Sequence, residues 1–405
     1  MTTQETIKEP EDLAKPFPWD RPPIEPPAVY EWLRENQPVR RVISNDGTPV
    51  WLVTRYDDVR SILADPRVSA DWSRPGFPFL GAPPPKNHRP FIRMDPPDHT
   101  TFRRLLTRHF TPRRLAEMRP RLQALIDSQL DVLLDSPDRS ADFVEKFSLP
   151  IPSTVLSWIL GIPQADIPYF NEAAARLMDP FDDPAAGASV RTELNEYIGR
   201  LLDDREKSGE EKDDFLNDLA QAVKAGTMTR QEAMSNGTML LVAGHETTAN
   251  MTALGTLTLL QHPDQLALIH EDMSLLPNAI DELLRFLTIL HLVIARVATE
   301  DIEIDGVTIP AGEGIMPLNL SANRDDAHFE RADELDIQRT VRDHVAFGYG
   351  VHQCLGQPLA RLELGMIYET LFTRVPTLRL AREPEPSWYR TESTINGMFR
   401  LDVAW

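Results

Sequence analysis

The spacing of apolar and polar positions changes character several times along the chain. Residues 28–36 and 56–64 carry the apolar repeat of short helices, and Pro49 to Thr54 between them reads as a strand. Residues 70–97 are predicted to be loop, because Pro75, Pro78, Pro83 to Pro85, Pro90, Pro96 and Pro97 forbid regular helix. From His99 to about residue 175 the pattern is helical, punctuated at Pro112, Pro137, Pro150 and Pro163. Residues 178–187 separate two helices, and the charge run at 203–214 reads as a solvated helix end and loop. Thr229 with Glu232 is a capping-box start, and Pro263 marks an end. The spacing therefore predicts one buried helix of about 33 residues, roughly 50 Å long, apolar on all sides. More helix follows to about residue 288. Short strands are expected over 292–318, with turns at Asp305-Gly306 and Ala311-Gly312. A loop then runs to Gln353, a helix fills 355–373, and strands close the chain. The expectation is a mainly α fold with small β-sheets: residues 1–27 form a proline-rich arm, and 28–405 a single catalytic domain.

Composition narrows the class. A formal net charge of −20 argues against nucleic-acid binding. Residues 1–28 have no apolar core of a signal peptide. The best membrane candidate, Met234 to Leu260, contains Asn236, His245, Glu246 and Asn250. A cytoplasmic monomer is expected. The single cysteine, Cys354, excludes an internal disulfide and a cysteine-based zinc site, leaving an inert thiol, a nucleophile or a metal ligand.

Three stretches carry candidate chemistry. The first is Phe347-Gly348-Tyr349-Gly350-Val351-His352-Gln353-Cys354-Leu355-Gly356, between a loop and an apolar helix. Cys354 sits at or just before the helix N-terminus, where unpaired N–H groups favour thiolate. The glycines permit tight turning and close approach of a flat group, and Phe347 can shield the sulfur from water. A cysteine hydrolase using His352 or His344 is the rival, and it leaves the aromatic and the glycines unexplained. The second is Ala243-Gly244-His245-Glu246-Thr247-Thr248 in the long helix, where a buried carboxylate beside a hydroxyl is costly unless used or paired. A threonine hydroxyl there can bond back to a carbonyl one turn earlier. The third, Glu282-Leu283-Leu284-Arg285, is by itself an ordinary ion pair.

Together these motifs resemble those of the cytochrome P450 family, at every fixed position of its haem-binding loop, and the likeness extends over residues 28–405. The wording of the motifs is similar to that of the actinobacterial, Streptomyces-type group that oxidises macrolides, statins, vitamin D-like molecules and xenobiotics. The resemblance implies haem b buried between the long central helix and the cysteine-loop helix, with Cys354 as axial iron ligand. It implies that Phe347 and Gly348 shape the loop beside the haem. It implies that Glu246 and Thr247 relay protons to dioxygen, and that Glu282, Arg285 and Arg339 lock the cysteine loop. His99, Arg103, Arg296 and His352 match the propionate contacts.

The inferred reaction inserts one atom of O2 into a mainly apolar small molecule. Electrons would come from an iron–sulfur ferredoxin and its reductase, since the chain lacks a nucleotide-binding glycine loop. A peroxygenase or isomerase would not need the acid–alcohol pair, and a haem-based sensor would bind without turnover. Candidate pocket walls are Ile92, Met239, Ala243, Leu292, Ile294 and Ile395, with Pro180–Gly187 as a lid hinge. Residues 101–121 hold seven arginines and one acid, Glu117, so a ferredoxin docking face is expected near Arg104, Arg108 and Arg113.

Overall fold

The computed structural model describes residues 9–80, 83–84, 88–178, 184–209, 211–391 and 393–405. Glu9 to Pro27 lies packed on the body, with Phe17 and Trp19 buried against Tyr30 and Leu33. Helices α1 (Val29–Asn36) and α2 (Tyr56–Ala64) flank strands β1 (Val39–Ile43) and β2 (Pro49–Val53). These strands join β3 (Val68–Ser69), β5 (Arg296–Ala298) and β8 (Gly314–Pro317) in a sheet of order β1-β2-β8-β5-β3. Strand β8 runs parallel to β2, and the other pairs are antiparallel. Strands β4 (Ser140–Asp142), β9 (Arg379–Leu380) and β10 (Asp402–Ala404) form a second sheet, and β6 (Ile302–Ile304) with β7 (Val307–Ile309) a hairpin.

The rest is helical. Prolines predicted as breaks stand in the first turns of helices: Pro112 in α4 (Pro112–Leu134) and Pro150 in α5 (Pro150–Leu160). A proline at that position forfeits no intrahelical hydrogen bond. Helix α3 (Asp98–Thr107) precedes them, and α6 (Ile167–Met178), α7 (Pro184–Ser208) and α8 (Phe215–Lys224) follow. Of the expected hinge at 180–187, residues 180–183 lie outside the described residues, and Pro184 to Gly187 belong to α7.

The predicted 33-residue helix is two. The capping box of Thr229 and Glu232 starts α9 (Arg230–Ala243), and α10 (Glu246–Gln261) resumes after Gly244 and His245. The break has a local cause and a local repair. Glycine weakens a helix, and a β-carbon at Gly244 would stand 2.6 Å from Leu156 Cδ1. His245 Nδ1 then bonds Leu241 O at 2.9 Å and Thr247 Oγ1 donates to Ala243 O at 3.1 Å. Those are the carbonyls that an unbroken helix would give to the backbone N–H groups of the same two residues. Helices α11 (Pro263–Glu271), α12 (Leu276–Leu287), α13 (Asn319–Ala322) and α14 (Gln357–Arg374) complete the set. The largest apolar cluster gathers residues of α4, α5, α10, α12 and α14. Among the described residues no helix is long and apolar enough to cross a membrane.

Candidate functional site

The cysteine loop is shaped by backbone geometry. Gly348 and Gly350 hold φ of +70° and +72°, a region that disfavours other residues. A side chain at Gly350 would also meet Leu63 O at 2.5 Å. The loop closes through Cys354 N, which donates to Phe347 O at 2.8 Å. Burial pushes the Cys354 thiol up, while N–H groups of Gly356 and Gln357 at the start of α14, Arg103 and Arg361 pull it the other way. Cys354 retains accessible surface although protein surrounds it, so the sulfur faces an internal space. Ala243 is likewise exposed in a helix whose neighbours Leu241 and Val242 are buried.

Beneath the loop, Arg285 Nε and Nη2 donate to Glu282 at 2.7 and 2.8 Å, and Arg285 Nη1 reaches the carbonyls of Asn323 and Ala332, each at 2.7 Å. Arg339 Nε adds a third donor to Glu282 at 3.2 Å, and the N–H of Asp336 a fourth at 3.0 Å. Every charge in this group has a partner.

Beside the loop the situation reverses. The rings of His99 and His352 lie 4.2 Å apart. Both nitrogens of His99 and Nδ1 of His352 are buried without a partner. Burial lowers His99 to about 4, and burial with the nearby Arg296 lowers His352 to about 2. Arg296 is buried with one hydrogen bond, to Ala295 O at 2.9 Å, and burial lowers it to about 10. Arg103 Nη2 donates to Gln353 O at 2.7 Å, which ties α3 to the cysteine loop. None of His99, Arg103, Arg296 and His352 makes an ion pair among the described residues. Orphaned donors and buried cations that converge beside one sulfur fit a planar cofactor carrying a soft-ligand metal and an anionic edge, as haem does.

The acid–alcohol pair is split. Glu246 is buried and turns to Arg390 Nη1 at 3.3 Å and Asn250 Nδ2 at 3.2 Å, while the Thr247 hydroxyl turns to Ala243 O. Asn250 was open to sequence reasoning, being four residues after Glu246 on one helix face. Arg390 was not, because 144 residues separate it from its partner and no motif marks it.

The six candidate wall residues fall into different settings. Ile92 and Met239 fringe one apolar cluster that includes Phe91 and Leu241. Ile294 stands 3.9 Å from where Gly348 would carry a β-carbon. Leu292 is packed with Phe17 and Trp19, and Ile395 pairs with Leu290 inside the main core. Of the basic segment, Arg108 binds Asp218, Arg113 pairs with Glu117 at 3.3 Å and Arg114 with Asp213 at 2.7 Å. Three of the seven arginines are thus already paired with acids, Arg108 and Arg113 of the expected docking face among them. Arg104 and Arg119 are exposed and make no ion pair among the described residues.

Comparison with known proteins agrees with this geometry. The family model described as "Cytochrome P450" matches residues 29–376. "Cytochrome P450-SU2" of Streptomyces griseolus is 45% identical over 412 residues, covering 100% of both chains. "Vitamin D3 dihydroxylase" of the same species is 41% identical over 414 residues, again covering 100% of both. The mycinamicin VIII C21 methyl hydroxylase MycCI of Micromonospora griseorubida, solved with mycinamicin VIII, superposes with a TM-score of 0.89 at 39% identity, covering 96% of this chain and 99% of that one. A cysteine loop with this geometry, next to cations that lack an ion pair among the described residues, is thus found in a chain similar from end to end to haem proteins of known structure: it belongs to the cytochrome P450 family, and its cofactor is haem.

Proposed function

We propose that this P450 monooxygenase is a cytoplasmic hydroxylase of a small molecule held in a largely apolar pocket, driven by electrons from an acidic iron–sulfur ferredoxin and its reductase. The observation that carries the reading is the convergence of Cys354 with Arg103 and Arg296, cations without a carboxylate among the described residues, and with the unpartnered ring nitrogens of His99 and His352, beside a sulfur that backbone N–H groups address. In this reading Cys354 would ligate the iron, Phe347 and Gly348 would hold the cysteine loop in place, and the two cations and two histidines would take the propionates. Haem, when bound, supplies the oxygen-activating redox chemistry.

The chain's own part is placement and proton supply. The Thr247 hydroxyl, anchored on Ala243 O, holds a proton at the break between α9 and α10. Glu246 is the relay: a turn of its carboxylate away from Arg390 and Asn250 would let it take up a proton from water and pass it toward Thr247. Ala243, Met239, Ile92 and Ile294 form the wall nearest the reacting carbon, with Leu292 and Ile395 supporting it from behind. The ferredoxin docks on α3 and the start of α4, using Arg104, with Arg108 and Arg113 once they leave their acidic partners. Vitamin D3 and mycinamicin VIII appear in the names of two relatives, so similarity of this degree accommodates different substrates.

Ferredoxin-supported oxygen uptake, with product counted per electron pair, tests the reading. A substrate that shifts the Soret band should be hydroxylated with stoichiometric reductant use. Cys354→Ser should lose both turnover and the red-shifted Soret band of the reduced, carbon monoxide-treated protein. Survival of that band in the variant overturns the ligand assignment.

A further inference from the structure

The propionates do not account for all the half-buried and buried cations near the site. Arg103 and Arg296 match two propionate charges. Arg93 and Arg191 remain, and neither makes an ion pair among the described residues. Asp95 is the acid closest in sequence to Arg93, and its oxygens serve Ser69 Oγ at 2.5 Å, the N–H of Ala70 at 2.9 Å and Arg74 at 3.7 Å.

The two surplus cations share one wall. The Arg93 guanidinium stands 5.6 Å from the Trp72 ring and 5.5 Å from Phe77, with Nη2 donating to Val293 O at 2.9 Å and Nη1 to Ala295 O at 3.4 Å. Trp72 lies 5.7 Å from the ring of His88. His88 Nδ1 accepts from Asn195 Nδ2 at 3.3 Å, and Asn195 Oδ1 accepts from Thr238 Oγ1 of α9 at 2.8 Å. Arg191 is one turn before Asn195 on α7, so both present to the same side. The strip Arg93, Trp72, His88, Asn195, Arg191 therefore runs along one side of the space bounded by α7, α9 and residues 88–93. Ile92 and Met239 belong to the apolar cluster beside it. Burial, with the nearby Arg296 and Arg191, lowers Arg93 to about 9, so these charges feel one another. Burial also holds Arg191 below its ordinary value.

We propose that Arg93 and Arg191 form an anion subsite of the substrate cavity, and that the substrate carries a carboxylate at the end remote from the hydroxylated carbon. The inference rests on the reading of the chain as a haem monooxygenase whose propionates take Arg103 and Arg296. It changes the substrate class from simply apolar to amphipathic acid. The apolar cluster beside the strip, with Ile92 and Met239, seats the hydrocarbon, and the two guanidinium groups fix its register over the cofactor.

The test uses the haem-loaded enzyme and matched pairs: straight-chain fatty acids of graded length and sterol-derived carboxylic acids, each against its primary amide. Binding is read by the Soret shift and independently by calorimetry. Acids that fit should bind about tenfold or more tightly than their amides, as expected for a charge-assisted hydrogen bond. Arg191→Gln and Arg93→Gln should each remove most of that preference, Arg93→Lys should retain part of it, and haem retention should not change. Equal binding of acid and amide, a preference that survives both glutamine variants, or no acid of the panel binding at all overturns the proposal. So does haem loss in Arg93→Gln together with a silent Arg191→Gln, which would make Arg93 a propionate partner. Loss of the red-shifted band of the reduced, carbon monoxide-treated wild type would instead sink the monooxygenase reading. An intact band without acid preference sinks the subsite alone.

Discussion

Two buried groups of arginines lie close to the cysteine loop, and they are built on opposite terms. Around Glu282 the carboxylate receives donors from Arg285, Arg339 and the N–H of Asp336, and the remaining Arg285 donors find carbonyls. Around His99 and His352 the cations have no ion pair among the described residues, and both nitrogens of His99 and Nδ1 of His352 have no partner. Burying an ion is expensive unless it is paired and hydrogen-bonded. The first group meets that requirement within the chain and acts as a frame. The second meets it only with an anionic guest. The presence of arginine, or its burial, does not separate frame from site. The completeness of its partners does.

The sharpest way to break the comparison is to open the closed group. Arg285→Ala leaves Glu282 and Arg339 with a buried remainder, and should cost about 3–5 kcal/mol of stability. Chemical denaturation measures it, and a loss under about 1 kcal/mol would mean the group is not the frame described.

The open group should respond to pH. His99 is buried neutral and held at about 4 against an ordinary 6.5. The unfolded chain then binds more protons than the folded one between those values. Stability from this residue is complete above pH 6.5 and is lost as pH falls toward 4, with a slope of up to about 1.4 kcal/mol per pH unit. Denaturation of the apoprotein at pH 7 and pH 5 should show that slope, and His99→Phe should flatten it. Haem loading should flatten it as well, since a propionate beside the ring favours the protonated form. A slope identical in all three proteins would show that His99 is not a buried neutral donor.

Opposite signs are expected for one substitution in the two states of the enzyme. Arg296→Leu removes a buried cation without an acid partner, so the apoprotein should be unchanged or gain about 1 kcal/mol. The holoprotein should release haem faster to an acceptor globin. A destabilised apoprotein would place Arg296 with the frame.

The smallest effect tests the exposed margin. Arg104→Glu should leave stability within about 0.5 kcal/mol. It should slow reduction by an acidic ferredoxin at low salt, and the difference should fade as salt rises. Arg108→Glu should slow reduction too but also lose stability, because it sets two carboxylates, its own and that of Asp218, against each other. Stopped-flow reduction indifferent to both reversals would place docking elsewhere.

The local motifs were fully legible. Helix starts at Thr229 and Tyr56, the turn at Asp305-Gly306, the glycines flanking Tyr349 and the spacing of Glu282 and Arg285 each follow from interactions within a few residues. The predicted continuous helix failed at Gly244-His245 because side chains of His245 and Thr247 replace the missing backbone donors, an option that apolar periodicity does not register. The arginines of residues 101–121 were legible as a charge but not as free charge, since Asp213 and Asp218 are more than 90 positions away.

By itself the sequence determined that a sulfur stands at a helix start inside a glycine-shaped loop, that a carboxylate and a hydroxyl sit within an apolar helical stretch, and that a mostly helical chain surrounds them. Short-range sterics and hydrogen bonding fix those outcomes, and they act between near neighbours in the chain. Only the tertiary structure decided which charges are answered. It gave Glu282 its third donor from Arg339, gave Glu246 its partner Arg390, and left Arg93, Arg191 and Arg296 without an ion pair among the described residues. Electrostatic pairing depends on distance through space in a medium that folding itself creates, and a list of residues does not contain that distance.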